Sequence, residues 1–469
     1  IRDSRLVASM PWRLFFPGRS ADRTNIFSGM LSPLVFVLLA ELVRSSPYLS
    51  LSQAPLDQRK SSDAWRYQAI TRLWEERRRM GRTPMFKIIL PSYRNVDILF
   101  KNESASKTGS LKHRYSWALV MWAVIDGKIT QNTTVYEASS GNTAASEAYM
   151  CKLIGVKFVA IVPDTIEDIK VAHIKSYGGE VIKTALGNRL IRAQQEADRN
   201  GGFFMNQFAN ADKAEEFHES GDFPLESMNL MHEVIAQMKA DPDQLVKAPH
   251  YFVHSAGTGG TISSVGRYAK KYGLPTDIVL GDTQFSVYYD YVMNGRFKNE
   301  SGESLWVSPG MAGIGYGTMG AVKHGISSSL LSAVVDRAIK VPDLASTAAM
   351  LVLKRLGISG GTSAGVNLMV SLHLAATRSS SRLLHGKRLT IVTVLPDPGH
   401  YYISSYYNRS WIEENFQPHG GLPIYDCWIQ EIEQAIRLGT DPLMGGAKRC
   451  TVEQHLTPPS DFRSRRAFL

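Results

Sequence analysis

From about residue 83 onward, apolar runs of strand length alternate with amphipathic stretches of helix length. The strand-like runs are 96–100, 134–138, 158–162, 251–254, 278–281 and 389–395. The helix-like stretches between them include 111–124, 143–153, 169–177 and 189–198. This alternation predicts an α/β fold with parallel-rich twisted sheets flanked by helices. Because ligands bind at the carboxyl ends of such strands, we expect the chemistry in the strand-to-helix loops.

Composition narrows the class of protein further. The chain has 469 residues, of which 44% are hydrophobic and 20% charged, so it is neither disordered nor fibrous. Its three cysteines, Cys151, Cys427 and Cys450, are too few and too scattered for a disulfide framework or a zinc site, and no metal is predicted. The net charge of +10 comes without a nucleic-acid-binding motif, so no nucleic-acid partner is predicted.

The first 54 residues differ from the rest and are predicted to be a leader or a disordered extension. The apolar run 34–40 ends at Glu41 and is too short for a bilayer span, which needs about 20 residues. With translation from Met30, residues 30–54 resemble a weak secretory signal; with translation from Met10, the Arg-rich leader resembles a mitochondrial transit peptide. If the leader is not real, we expect a cytoplasmic protein, so localisation stays open.

A lysine lies at the start of the predicted helix 111–124. After the strand 96–100, the small residues Thr108, Gly109 and Ser110 lead to Lys112 in the first helical turn. A cation is unfavourable beside the positive end of a helix, so this position suits a lysine that works as a neutral amine or an imine. A surface lysine is the ordinary alternative.

Three further loops have compositions that suit ligands. Residues 137–143 place hydroxyls and an amide at a helix start, which suits a carboxylate. In residues 257–261, glycines let the backbone approach a phosphate, although neither dinucleotide nor P-loop spacing is present. Residues 359–365 place hydroxyl side chains between glycines, and one of these hydroxyls could hydrogen-bond a flat ligand. Each loop alone also fits an ordinary helix cap or tight turn.

Taken in order, the four loops resemble those of the fold-type II pyridoxal-phosphate enzymes, and most closely the cysteine synthase and cystathionine β-synthase family. Thr83-Pro84 and the glycine loop 313–316 extend this resemblance over residues 83–410. The segment 109–114 is similar to that of a narrower branch, the single-domain L-cysteine desulfhydrases. His113 stands where cysteine synthases usually have an acidic residue, which also favours that branch.

The resemblance implies a role for each site residue. Lys112 would bind pyridoxal 5'-phosphate through an imine and later move the Cα proton. The phosphate would be held by Gly257, Thr258, Gly259, Gly260 and Thr261. Asn142 would bind the ring hydroxyl, and Ser363 the pyridine nitrogen, with Thr362 as the alternative if the register differs by one. The substrate carboxylate would be held by Ser139, Ser140, Thr143 and Gln207.

These roles favour one type of chemistry. A hydroxyl at the pyridine nitrogen makes the ring a weaker electron sink than an aspartate would, which suits β-elimination or β-replacement. The leading prediction is a lyase that converts L-cysteine to hydrogen sulfide, pyruvate and ammonia. The alternative is a cysteine synthase-like or cystathionine β-synthase-like transferase that uses O-acetylserine or serine. A third hypothesis is a catalytically inactive sulfide-sensing or scaffold homologue.

The same resemblance implies a two-domain, tryptophan synthase β-like architecture and a homodimer. We expect a small substrate domain at residues 115–210 and a large cofactor-binding domain from 83–114 plus 211–415. A helical segment would precede them at 55–82. Residues 416–469 would form a C-terminal extension with a short helix near 428–437. The chain beyond His400, about 70 residues, is too short for the tandem regulatory module of cystathionine β-synthase.

Overall fold

A computed structural model describes residues 61–211, 213–214, 227–297, 305–317, 322–379 and 388–450. The predicted leader at 1–54 lies outside these ranges, as do residues 451–469 of the predicted C-terminal extension. Within the described ranges, no helix combines the length and the hydropathy that crossing a bilayer requires.

The described residues contain ten strands and thirteen α-helices. The strands are β1 Met85–Ile88, β2 Val96–Asn102, β3 Thr134–Glu137, β4 Lys157–Pro163, β5 Glu180–Thr184, β6 Phe203–Phe204, β7 Tyr251–Ser255, β8 Asp277–Thr283, β9 Arg337–Val341 and β10 Leu389–Leu395. The helices are α1 Ser61–Met80, α2 Lys112–Ile125, α3 Asn142–Ile154, α4 Asp168–Ser176, α5 Arg189–Arg199, α6 Leu230–Ala240, α7 Gly260–Lys271, α8 Tyr288–Asn294, α9 Asp343–Arg355, α10 Thr362–Arg378, α11 Arg409–Phe416, α12 Gly421–Leu438 and α13 Pro442–Arg449.

The strands form two sheets. A six-stranded sheet has the order β1-β2-β10-β7-β8-β9, and a four-stranded sheet has the order β5-β4-β3-β6. All neighbours are parallel except β1, which runs antiparallel to β2. The predicted α/β class with parallel-rich sheets is therefore confirmed. Strands β8 and β10 are buried at every position, as central strands covered by helices on both faces should be.

Helix α2 lies in the interior and positions the lysine at its first residue. Every residue from His113 to Val124 is buried, which explains why this helix has no polar face. The indole Nε1 of Trp117 donates to the carbonyl oxygen of Leu73 in α1 at 2.6 Å. Helix α1 therefore covers α2 on one side, while α3 packs against it as well.

The predicted elements agree with the structure within two residues at each end. All six predicted strands and the four predicted helices of the first half are present. The prediction missed β1, β5, β6 and β9, which are only two to five residues long and include charged residues or lie at sheet edges. The short helix predicted near 428–437 is part of the longer α12.

The structure also contains a disulfide bond that the sequence analysis did not anticipate. Cys427 in α12 is bonded to Cys450, which follows α13, with the two Cα atoms 5.7 Å apart. The two cysteines are 23 residues apart in sequence, and the turn between α12 and α13 brings them together. Cys151 is buried and has a free thiol.

A buried ion network joins β2, α2 and α6. Lys101 Nζ lies 2.8 Å from a carboxylate oxygen of Glu233. The guanidinium of Arg114 lies 2.8 Å from carboxylate oxygens of both Glu103 and Glu233. All four side chains are at least nine-tenths buried. Because a buried charge that loses its partner is strongly destabilising, this network fixes the helix that carries Lys112 relative to the large sheet.

Glu233→Ala should lower the free energy of unfolding by about 3–5 kcal/mol, because it leaves Lys101 and Arg114 without a shared counter-ion. Denaturant unfolding measures this change. The matched control is Glu433→Ala, which breaks a half-exposed pair with Arg355 and should cost less than about 1 kcal/mol. Equal losses in the two variants would contradict the role given to the buried network.

Candidate active site

The loops that carry the predicted site residues meet at one edge of the six-stranded sheet. Strands β2, β10 and β7 are adjacent and parallel, so their carboxyl ends lie side by side. Residues 396–398, directly after β10, connect two of these loops. The carbonyl oxygen of Pro396 accepts from the N–H of Leu111 at 2.8 Å, and that of Asp397 accepts from the N–H of Gly361 at 3.3 Å. The loop that leads to Lys112 (the lysine loop) and the 359–365 loop therefore meet at this segment.

Lys112 is the first residue of α2, as the sequence predicts, and it is half-buried. Burial lowers the pKa of its amine to about 8, against the opposing effect of the negative charges of Glu147 and Glu137. The amine lies 5.0 Å from the centre of the Tyr115 ring and donates no hydrogen bond within the described part of the chain. A lysine in this state supplies a neutral amine far more readily than an exposed one.

Two buried carboxyl groups interact electrostatically with this amine. Glu137 accepts hydrogen bonds from the N–H groups of Ala138 at 2.7 Å and Gln207 at 2.9 Å. Burial nonetheless raises the pKa of Glu137 to about 7. Glu147 has no hydrogen-bond partner in the structure as described, and burial raises its pKa well above the ordinary value. Glu137 is thus the better stabilised anion of the two, because Glu147 lacks the hydrogen bonds that Glu137 accepts.

The four residues predicted to bind a carboxylate come together at the start of α3. Thr143 Oγ1 donates to Gln207 Oε1 at 2.8 Å, so the amide nitrogen of Gln207 is left to donate elsewhere. The hydroxyls of Ser139 and Ser140 make no hydrogen bond to the described residues. Both precede the N-terminus of a 13-residue helix, where an anion is favoured.

The loop 257–261 has the geometry of an anion cradle. The carbonyl oxygens of Ala256, Gly257 and Thr258 accept from Gly315 N at 2.7 Å, Tyr288 OH at 2.8 Å and Ser329 N at 2.8 Å. By contrast, the N–H groups of Gly257, Thr258 and Gly259 donate to no residue that the structure describes. The carbonyl groups of this loop are thus used within the protein, whereas its N–H groups before α7 remain free to donate. This arrangement suits a phosphate.

Two glycines of this loop cannot be replaced without a clash. A Cβ on Gly257 would lie 2.4 Å from the carbonyl oxygen of Gly313. Gly259 has φ +86°, and a Cβ there would lie 2.3 Å from the backbone nitrogen of Leu330. The tight contact with neighbouring backbone, rather than composition alone, explains why these positions are glycine.

The remaining predicted residues lie around residues 396–398. Asn142 Nδ2 donates to Asp397 Oδ2 at 2.7 Å. Thr362 is buried, and its hydroxyl donates to the carbonyl oxygen of Ala312 at 2.6 Å. Ser363 is half-buried and makes no hydrogen bond to described residues. Its hydroxyl is therefore free to donate to a ligand, whereas that of Thr362 is already used.

Comparison with known proteins identifies this arrangement. Residues 77–397 match the model of the pyridoxal-phosphate dependent enzymes. The chain belongs to this family. Its cofactor is pyridoxal phosphate, as predicted, and the expected family membership and fold class are confirmed.

Relatives within the family place it near enzymes of cysteine metabolism. A Caenorhabditis elegans protein, named as a candidate pyridoxal-phosphate dependent protein, is 50% identical over 82% of this chain and 89% of its own length. The L-cysteine desulfhydrase of Mycobacterium tuberculosis is 31% identical over 77% of this chain and 94% of its own length. A cysteine synthase of Staphylococcus aureus is 30% identical over 70% and 94%, respectively.

Solved structures of the family share the fold. O-ureido-L-serine synthase has a TM-score of 0.56 at 21% identity, covering 70% of this chain and 92% of that one. A hydrogen sulfide-producing enzyme of Fusobacterium nucleatum has a TM-score of 0.55 at 21% identity, covering 69% and 97%. At this identity the likeness supports the fold alone.

The residues present fit the family's cofactor. The half-buried amine of Lys112 suits the cofactor's aldehyde, and the free N–H groups of 257–259 suit its phosphate. The free hydroxyl of Ser363 suits the ring nitrogen. These matches rest on hydrogen-bonding capacity that the protein leaves unused at each position.

Sequence reasoning missed three residues of the site. Asp397 follows the predicted strand 389–395 directly, so its place at a strand's carboxyl end was a usable signal. Glu147 is the one acidic residue of α3, which was a second signal. For Tyr115 the sequence contains no signal. Its hydroxyl donates to the carbonyl oxygen of Gln207 at 2.6 Å, and that contact spans 92 residues.

Gly259→Ala should weaken cofactor binding by at least about tenfold, because the added Cβ would push the phosphate loop away from Leu330. Titration of the cofactor followed by visible absorbance measures this. Gly273→Ala is the matched control, since Gly273 also has a positive φ (+59°) but no atom within 4 Å of the added Cβ. Equal weakening in both variants would show that backbone strain, not the phosphate loop, is responsible.

The rate at which cofactor-free protein binds pyridoxal phosphate covalently should depend on pH through Lys112. Below a pKa of about 8 the amine is protonated and cannot attack, so the rate should rise about tenfold per pH unit up to about pH 8 and then level off. Stopped-flow absorbance measures this rate. A rate that keeps rising towards pH 10 would indicate an ordinary, solvated lysine.

Proposed function

We propose that this enzyme eliminates sulfide from L-cysteine and, with one water consumed by hydrolysis of the remaining three-carbon product, yields hydrogen sulfide, pyruvate and ammonia. The observation that carries the proposal is the half-buried amine of Lys112, with a pKa of about 8, next to an anion site at the start of α3. The 31% identity to an L-cysteine desulfhydrase over 94% of that protein supports the choice of substrate.

Lys112 would hold the cofactor and move the substrate's proton. When bound, pyridoxal phosphate withdraws electrons from the substrate Cα, so that a proton can leave there and a group on Cβ can be expelled. The Nζ atom of Lys112 accepts that proton, and its lowered pKa makes the neutral amine available near neutral pH. The negative charge of Glu137 stabilises the ammonium that results.

The predicted carboxylate site at the start of α3 would orient the substrate. Ser139 and Ser140 have free hydroxyls that can donate to the carboxylate. Thr143 fixes the amide of Gln207 so that its nitrogen faces away from the Thr143 hydroxyl and can donate as well. Held by its carboxylate beside the helix N-terminus, the substrate has its Cα–H bond within the same site as Lys112.

The phosphate and ring would be held by the remaining loops. The N–H groups of 257–259 bind the phosphate, Asn142 donates to the ring hydroxyl oxygen, and Ser363 donates to the pyridine nitrogen. A hydroxyl does not supply a negative charge there, which suits loss of a β-substituent better than transamination.

A β-replacement transferase is the second candidate function. The cysteine synthase of Staphylococcus aureus, 30% identical over 94% of its length, favours it. Both reactions use the same protein residues up to the loss of the β-substituent. They differ in what reacts with the product of that step: water in the elimination, or a second nucleophile in the replacement.

The test incubates the full chain with pyridoxal phosphate and L-cysteine alone and follows sulfide and pyruvate together. Equal, sustained release of both supports the elimination. Release of sulfide only when a second thiol or a serine derivative is present would instead support the transferase. Neither product under any condition would support the catalytically inactive homologue.

Lys112→Ala should abolish the visible absorbance of the bound cofactor and reduce sulfide release by about 100-fold or more, because both functions of the amine are lost. Absorbance and sulfide assays on the same preparation measure this. Lys157→Ala, which removes an exposed lysine paired with Glu180, is the control and should leave both unchanged. Unchanged absorbance in Lys112→Ala would refute the role of Lys112.

A further inference from the structure

Asp397 occupies a buried position at the centre of the site. It follows β10 by two residues and is 3% exposed. Its Oδ2 atom accepts two hydrogen bonds, from Asn142 Nδ2 at 2.7 Å and from the hydroxyl of Tyr402 at 2.6 Å. Its Oδ1 atom lies beside the backbone of Gly361 and meets no side-chain donor in the described part of the chain. Because a buried carboxyl group is costly without donors, the two hydrogen bonds to Oδ2 hold this aspartate in place.

The bond to Asn142 connects the two sheets. Asn142 begins α3, which follows β3 of the four-stranded sheet, whereas Asp397 follows β10 of the six-stranded sheet. The contact spans 255 residues of sequence. It therefore fixes the start of α3 relative to the large sheet at the point where the site residues meet.

The same bond fixes which way the Asn142 amide faces. An asparagine amide has two N–H donors on nitrogen and one acceptor oxygen. With the nitrogen towards Asp397, one N–H donates to Oδ2 and the other points away from it. A flipped amide would place its oxygen against the carboxylate oxygen, which is repulsive. Asp397 thus selects one of the two amide orientations.

We propose that Asp397 is a positioning residue that holds the Asn142 amide with its second N–H available to the ring hydroxyl of the cofactor. This inference rests on the role given to Asn142 under the proposed function. Tyr402 supports it, because its hydroxyl donates to the same Oδ2 atom and limits the rotation of the carboxylate. The role predicts that Asp397 acts on the cofactor only through Asn142.

A double-mutant cycle on the holoenzyme tests this. The measured quantity is the rate at which bound cofactor is lost on dialysis, followed by visible absorbance. We expect Asp397→Ala to raise this rate about tenfold and Asn142→Ala to raise it at least as much, each through the loss of one oriented hydrogen bond. The double variant should match Asn142→Ala alone, because the two changes remove the same interaction.

Two further variants make the result specific. Asp397→Asn can still accept from Asn142 and Tyr402 through its amide oxygen, so it should lose cofactor within about threefold of the unmodified enzyme. If Asp397→Ala does not fold, Tyr402→Phe replaces it in the cycle, because losing the hydroxyl that limits rotation of the carboxylate should raise the rate of cofactor loss, but not in the Asn142→Ala background. Asp97→Ala is the matched control, since it removes another buried aspartate, paired with Arg388 at the start of β2, and should leave the rate unchanged.

Each outcome separates the inference from the proposed function. If the effects of Asp397→Ala and Asn142→Ala multiply in the double variant, or if Asp397→Ala matches the unmodified enzyme, the inference is wrong. If Asn142→Ala does not change cofactor loss, the role given to Asn142 is wrong, and the inference with it. Sulfide release plays no part in this measurement, so a failure of the proposed reaction leaves the result readable.

Discussion

Placing the amine of Lys112 at the start of a helix and half inside the protein is costly, and much of the surrounding structure serves to accommodate it. Burial disfavours the ammonium and lowers its pKa to about 8. The positive end of the helix dipole is unfavourable for a cation as well. The negative charges of Glu147 and Glu137 limit this shift. The buried pairs that Arg114 makes with Glu103 and Glu233 anchor the same helix two residues further on. The result is a reactive amine on a rigid element.

The parallel sheet explains why the other site residues lie close to this amine. The adjacent strands β2, β10 and β7 end at one edge, so the loops that follow them lie side by side. Residues 396–398 then fix the lysine loop, the 359–365 loop and the start of α3 through three hydrogen bonds. The protein alone therefore fixes the relative positions of these three segments, without help from a ligand.

The sequence predicted the parts of this site that local pattern encodes. The helix start at Lys112 and the phosphate loop 257–261 were correctly located, because strand-to-helix transitions have clear apolar periodicity and glycine signals. The roles of these residues stay predictions that the experiments above test. The bonds Asn142–Asp397 and Cys427–Cys450 could not be predicted, because each depends on how distant segments fold back on one another. Strand β6, with two residues, was too short to give any period.

The most direct test of this account identifies the lysine that carries the cofactor. The holoenzyme is reduced with borohydride, which fixes the cofactor to the amine that holds it, and the digested peptides are then mapped by mass spectrometry. The account predicts the added mass on Lys112 alone. Modification of Lys101, which is more deeply buried than Lys112 and is paired with Glu233, or of any other lysine, would contradict it.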